Sequence, residues 1–310
     1  MTTPADDAAR IPGPSPESLG TLDLATENVL RALPDVLSGA RAQAQAALAG
    51  AGPLHLTPPV LIHGDNLHAL AALHRGGEPV DLIYIDPPYA SGATYRMSSH
   101  HSGRDTVGFT DRWHAGLVEY LGMLAPRLLL MRGLLGPAGS IYVHVDWHAS
   151  HWVRLLLDAI FGADAFLNEI AWVYGLGGSS PRRWPRKHDT ILWYAATPGQ
   201  QWFEPALIPA TSARMRGQLK KAPDYWDIPA INNQARERTG YPTQKPRQLL
   251  DRIVTSSCPP GGLVLDAFCG SGTAAESATA HSRRWIAIDE SDDAVRIAAA
   301  RLGVDPLRLG

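Results

Sequence analysis

Cysteine is scarce in this chain: Cys258 and Cys269 are the only two among 310 residues. Neither stands in a C-x-x-C pattern, which argues against a disulfide framework or a cysteine zinc site and fits a reducing compartment. Long apolar runs are missing as well. No stretch approaches the roughly 20 residues that cross a bilayer. The first residues carry Asp6 and Asp7 in place of the apolar segment of a secretory signal. These absences point to a cytoplasmic protein with no membrane partner.

An excess of positive charge is also lacking. Lys and Arg number 28 against 30 Asp and Glu, for a net charge of −2. The distribution is nevertheless uneven, because Pro181–Arg252 holds 13 of the basic residues and only 6 of the acidic ones. A basic segment on an acidic body is the asymmetry expected where one part faces a polyanion. A solvated surface with ordinary ion pairs gives the same count, so charge alone leaves both readings open.

What is present is enough apolar material for a large core, at 45% hydrophobic residues. Residues 1–57 are rich in Ala, Pro and Gly, with weak helical patterns over Leu24–Leu37 and Ala40–Leu48, and read as an extension rather than a core element. From Pro59 onward, short apolar runs alternate with longer helical periods. The strands expected are Val60–His63, Asp81–Ile85, Ser140–Asp146, Glu169–Tyr174, Thr190–Tyr194, Leu263–Phe268 and Trp285–Asp289. The helices expected are Leu67–His74, Leu117–Leu135, Ser150–Phe161, Lys245–Ser256, Gly272–His281 and Asp292–Leu302. Strands nearly continuous in apolar residues are covered on both faces. The expected fold is therefore α/β, a doubly wound, mostly parallel seven-stranded sheet. Gly175–Tyr241, rich in Gly, Pro, Arg and Trp, breaks the rhythm and reads as a smaller module. The division expected is 1–57, 58–175, 176–240 and 241–310.

Two motifs carry chemistry. In Leu263-Val-Leu-Asp266-Ala-Phe268-Cys-Gly270-Ser271-Gly272-Thr273 a buried strand turns through glycines into a helix, whose N–H groups can face a closely approaching ligand. Asp289 ends the next strand, where it can accept from ribose hydroxyls. Gly270-x-Gly272-x-x-Ala275 also satisfies the dinucleotide fingerprint, so an NAD enzyme has to be weighed. Only about twenty residues follow Asp289, whereas a dinucleotide domain opening at this motif needs several further βα units. The sheet must be completed by chain that precedes its ligand loop, a permuted order.

The second motif is Asp81-Leu-Ile-Tyr-Ile-Asp86-Pro87-Pro88-Tyr89, an apolar strand ending in an acid, two prolines and an aromatic. Carboxyl ends of parallel strands are where α/β sheets bind ligands. Prolines fix φ and donate no hydrogen bond, leaving rigid carbonyls free to accept. Asp86 and the Pro87 carbonyl can both accept from an exocyclic amino group, and Tyr89 can stack on the ring that bears it.

Asp86-Pro-Pro-Tyr89 together with Asp266-x-Phe268-x-Gly270-Ser-Gly272-Thr273 resembles the β group of bacterial amino-methyltransferases of DNA, over roughly residues 59–302. The resemblance implies S-adenosylmethionine as cofactor and methyl transfer to adenine N6 in double-stranded DNA. An Asp at the first catalytic position leans to adenine in that family, with cytosine N4 the alternative. It implies that Lys245-Pro246 lies beside the methionine part of the cofactor, that Asp65 of His63-Gly-Asp65 meets its adenine, and that Asp289 binds its ribose. It is compatible with a partner restriction endonuclease, a homodimer and association with the nucleoid. The sequence departs from the pattern at Ala267, Ala274 and Ala90-Ser-Gly92, which bear on packing and on the loop near the base. A non-catalytic DNA-binding protein that kept the fold stays open as another class.

A base inside a duplex cannot reach Asp86, so the target has to be extruded. The long connection Ala90–Trp113, with Arg96, Arg104 and Arg112, is expected to close on the DNA. Arg182, Arg183, Arg186 and Lys187 around Trp184, and Arg214, Arg216, Lys220 and Lys221, are candidate phosphate contacts. His144-x-Asp146-x-His148-x-x-His151 has the residue types of a metal site. Methyl transfer from a sulfonium has no step for a metal, and a helix starting at Ser150 would turn His151 away. No metal is expected.

Overall fold

The computed structural model describes residues 26–88, 116–175, 179–232 and 234–309, together with the backbone alone of 24–25, 94–98 and 105–110. In chain order the elements are α1 (Leu24–Gly50), β1 (Val60–His63), α2 (Asn66–Gly76), β2 (Val80–Ile85), β3 (Thr94–Ser98), β4 (Asp105–Thr110), α3 (Leu117–Leu134) and β5 (Leu135–Val145). Then come α4 (Ser150–Phe161), β6 (Phe166–Val173), β7 (His188–Ala195), β8 (Leu207–Pro209), β9 (Leu219–Lys221) and β10 (Tyr225–Asp227). The last are α5 (Arg247–Ser257), β11 (Leu263–Asp266), α6 (Thr273–Ala280), β12 (Arg284–Asp289), α7 (Asp292–Leu302) and β13 (Leu307–Arg308).

All seven expected strands lie in one sheet, in the order β10-β6-β7-β5-β2-β11-β12-β1-β13, which the short β10 and β13 widen to nine. Every neighbouring pair is parallel except those of β7, which runs against both β5 and β6. Alternation sorts the side chains. In β2, Ile83 and Ile85 join one core, with residues of α2, α3 and α4, while Leu82 and Tyr84 join the other, with α5, α6 and α7. Successive side chains of a strand point to opposite faces, so a continuous apolar run serves two helical layers at once. Each fully buried Leu or Ile contributes on the order of 2 kcal/mol to that arrangement.

Some boundaries and one assignment differ from expectation. Residues 24–50 form one helix instead of two weak ones, and it is not an appendage: Val29, Ala40 and Ala44 are buried in the core against α2 and α3. Val29, Leu33, Val36, Leu37, Ala40, Ala44, Ala47 and Leu48 share its packing face at helical spacing, and Pro34 in its interior reads as a break. The expected helix from Lys245 begins two residues later, because Pro246 stands extended at its N-cap. Within 176–240, thin in expected elements, β8 and β9 pair as a small antiparallel ribbon and β10 joins the main sheet. Within the connection after β2, β3 and β4 pair as an antiparallel hairpin, and the remainder of Ala90–Trp113 lies outside the described residues. Among the described residues, no helix is long and apolar enough to cross a membrane.

Candidate active site

The carboxyl ends of β2, β11, β12 and β5 meet at one edge of the sheet, and a cavity of ≈ 230 Å³ opens there. Its wall includes Asp86, Pro87 and Pro88 from the end of β2 and Asp266, Phe268, Gly270, Ser271 and Thr273 from the glycine turn. Lys245 comes from the segment before α5, and Asp289 from the end of β12. Two motifs far apart in sequence thus share one chamber, because β2 and β11 are neighbours: Leu263 N–H donates to the Asp81 carboxylate at 2.8 Å across a separation of 182 residues.

The glycine turn is shaped by contact on both sides. Gly270 sits at φ +50°, and a Cβ there would meet the Tyr241 ring at 3.0 Å. Gly272, at φ +75°, caps α6, and its Cβ would meet Leu302 at 3.1 Å. The positive φ at both positions disfavours a side chain, and the neighbouring groups would have to give way to admit one. The turn is braced from below: Gly270 N–H donates to Asp289 at 2.8 Å, and Arg301 donates to Thr273 Oγ1 at 2.9 Å and to the Ser271 carbonyl at 3.2 Å.

Acids crowd the chamber. Burial holds the Asp266 carboxyl well above the usual carboxylate range, partly offset by a hydrogen bond from Phe268 N–H, with Asp86 and Asp289 adding repulsion. Burial also raises Asp289, against hydrogen bonds from the Ser291 and Gly270 amides. Lys245 answers Asp86: its Nζ pairs with Asp86 Oδ2 and also donates to the Thr243 carbonyl at 3.4 Å.

Not every expected residue faces the cavity. Asp65 caps α2, accepting from Leu67 N–H at 2.6 Å, and pairs with Arg127 at 3.3 Å; its neighbour Asn66 lines the wall in its stead. Pro246 and Gly272 support the wall without lining it, and Tyr89 lies outside the described residues. Of the basic clusters, Arg182, Arg183, Arg186 and Lys187 lie in the connection leading into β7, at the same sheet edge as Asp86. Arg214, Arg216, Lys220 and Lys221 belong to the β8–β9 ribbon. The chain approaches that ribbon past Ala138 and Ser256, near the opposite edge.

Wall residues to which the sequence gave no role of their own include Asn66, Tyr84, Arg127 and Tyr241. Arg127 had one signal, a cation inside the apolar run of α3; it is largely buried and hydrogen-bonded to Asn66 and to the Met123 carbonyl. Burial pulls its guanidinium below the ordinary value, opposed by Asp65 and Glu290. Tyr84 leads away from the cavity, its hydroxyl 3.0 Å from His144 Nδ1, with His144 Nε2 3.5 Å from Asp189. Asp146, just past β5, pairs with His148 at 2.5 Å and accepts its backbone N–H at 2.9 Å. Among the described residues no group of three or more His, Cys, Asp or Glu could hold a metal ion.

A nucleoside carrying a sulfonium side chain fits the donor set. The chamber offers a glycine cradle at a helix N-terminus, a buried acid beside it in Asp289, and apolar wall from Phe268, Met123 and Leu250.

Comparison with known proteins agrees. A family model described as DNA methylase, of the N6/N4 methyltransferases, matches residues 80–300. The Type II methyltransferase M.EcaI of Enterobacter cloacae is 27% identical, over 82% of this chain and 72% of that protein. The DNA adenine methyltransferase YhdJ of Escherichia coli (strain K12) is also 27% identical, over 79% of this chain and 82% of its own. Among solved structures, the M1.HpyAVI–SAM complex superposes with a TM-score of 0.57 at 19% identity, covering 79% of this chain and 99% of that one. PvuII DNA methyltransferase (cytosine-N4-specific) superposes at 0.55 and 16% identity, covering 81% and 89%. The chain belongs to the N6/N4 DNA methylase family and is an S-adenosylmethionine-dependent DNA methyltransferase of the β group.

Proposed function

We propose that this enzyme methylates the N6 amino group of an adenine swung out of double-stranded DNA. The observation that carries the reading is the single cavity shared by Asp86-Pro87 and the glycine turn. S-adenosylmethionine, when bound, supplies a methyl group already activated by its sulfonium, so the chain's task is placement. Asp86 and the Pro87 carbonyl accept the amino N–H groups and aim the nitrogen's lone pair; Pro88 fixes the turn, and Tyr89 stacks on the base. The Gly270–Thr273 turn, Asp266, Phe268 and Asp289 hold the cofactor, with Lys245-Pro246 beside its methionine part and Asp65 acting near its adenine through the α2 cap. Lys245 also keeps Asp86 in place until the base arrives, which its ion pair supports.

On this reading 58–175 is the catalytic half, 241–310 the cofactor half and 176–240 the target-recognition region. Arg182, Arg183, Arg186 and Lys187 contact phosphates close to the cavity, and Arg214, Arg216, Lys220 and Lys221 contact them from the ribbon. A homodimer working beside a cognate endonuclease is the assembly proposed, checked by light scattering of the purified protein and a restriction assay.

The test is incubation with tritiated S-adenosylmethionine and unmethylated genomic DNA, followed by nucleoside analysis. Label is expected in N6-methyladenine and is expected to fall at least about a hundredfold in Asp86→Ala, the loss that misplacing a reacting atom brings. Label in N4-methylcytosine would keep the mechanism and replace the base.

A further inference from the structure

The connection between β6 and β7 stands apart from the rest of the surface. Thr190 of β7 pairs with Val145 of β5, which puts the start of β7 at the carboxyl edge of the sheet. β5 pairs in turn with β2, Val143 opposite Ile85, the residue before Asp86. The run Pro181-Arg-Arg-Trp-Pro-Arg-Lys187 therefore feeds into β7 two strand spacings, about 10 Å, from the strand that carries Asp86.

Within that run Trp184 is 91% exposed, more than any other large apolar side chain among the described residues. An indole in water gives up the burial for which its size suits it. Its backbone is nevertheless held. Pro181 and Pro185 restrict φ on either side. Arg186 lies with its guanidinium carbon 3.4 Å from the centroid of Trp147, whose ring in turn packs on His148 at 3.6 Å. The loop is anchored through Arg186 while Trp184 projects. Arg182 and Arg183 beside it are exposed. A flat apolar ring flanked by guanidinium groups matches one kind of surface, stacked bases framed by phosphates.

We propose that Trp184 enters the duplex as the target base leaves it and stacks in the vacated place. Removing a base breaks stacking on both of its neighbours, and an aromatic ring in the gap restores part of it. Trp184 is thus a positioning residue that favours the extruded state; Arg186 on Trp147 fixes the loop that delivers it. The inference rests on the reading of the chain as a methyltransferase of flipped bases.

The test uses the full chain and two duplexes bearing the site that the wild type methylates. One is fully paired; in the other an abasic residue faces the target, so extrusion breaks no base pair and the extruded state is populated without help from an inserted ring. Trp184→Ala is expected to lower kcat/KM on the paired duplex about tenfold or more, and to stay within about twofold of wild type on the abasic one. Trp184→Phe is expected to keep most activity on both, and calorimetry should give unchanged S-adenosylmethionine binding for either variant. Equal losses on the two duplexes would overturn the proposal and reduce the loop to general DNA affinity. No loss on either would overturn it too. A wild type that methylates neither duplex nor genomic DNA would sink the functional reading itself, and the insertion with it.

Discussion

Asp266 illustrates what a ligand chamber asks of a single side chain. It is buried at the end of β11, and its carboxyl is held well above the usual range by burial first, then by Asp86 and Asp289, with Lys245 only partly offsetting them. A carboxyl raised by folding binds a proton more tightly in the native state than in the unfolded one. Its contribution is therefore present at low pH and lost as pH climbs from the ordinary value near 3.9 towards the raised one. Asp266→Asn, which can still accept from Phe268 N–H, is expected to raise the melting midpoint of the cofactor-free protein at neutral pH by about 3 °C or more, with the gap narrowing as pH falls. A lower midpoint in the variant would show that the ionised form is needed for folding. Residue identities of this kind were legible wherever a motif fixed them: Asp86, Asp266, Asp289 and the glycines all face the cavity, Gly272 excepted. Arg127 and Asn66 were not legible, because their approach to the wall depends on how α3 and α2 lean together, and spacing along the chain does not record that. How Asp65 is held was not legible for a related reason, since one carboxylate both caps a helix and pairs with a distant arginine.

Among elements, those with a strong apolar period were found almost to the residue. α4 and α7 have the expected bounds, and the central strands shift by a few residues at most on the site side of the sheet. α1 was read as two weak pieces because Pro34 stands inside it and a stretch of small residues, Ser38-Gly39-Ala40, separates its larger apolar residues. Its docking can be checked directly. Ala40, 1% exposed, faces the core, whereas Arg41 next to it is exposed. Ala40→Asp would bury an unpaired charge and is expected to cost about 3 kcal/mol in urea unfolding, while Arg41→Asp should cost under about 0.5 kcal/mol. Equal, small effects would mean that α1 is not docked in solution. β8, β9 and β10 were missed on length alone: three residues each do not establish an alternation.

At the scale of the whole molecule, net charge was the least informative quantity and its distribution the most. A chain at −2 can hold a polyanion only through a local basic surface. Replacing Arg182 and Arg183 together by Ala is expected to flatten the slope of log K against log salt for duplex binding by about 1.8, two phosphate contacts' worth. S-adenosylmethionine affinity should stay unchanged. The same loss on replacing Arg214 and Arg216 would lay the β8–β9 ribbon along the phosphates as well; an unchanged slope there would confine the DNA to the carboxyl edge. The permuted order of the two motifs was readable from sequence, and it has a bearing on how the protein comes into being. Leu263 docks on Asp81 across 182 residues, and at ribosomal speeds of about 5–20 residues per second that interval is roughly 10–35 s. Throughout it β2 waits in the middle of the molecule with one flank unpaired, an open invitation to any passing strand. Nascent chains of this protein should accordingly be clients of holding chaperones until β11 emerges, and catalytic competence should arrive late and all at once.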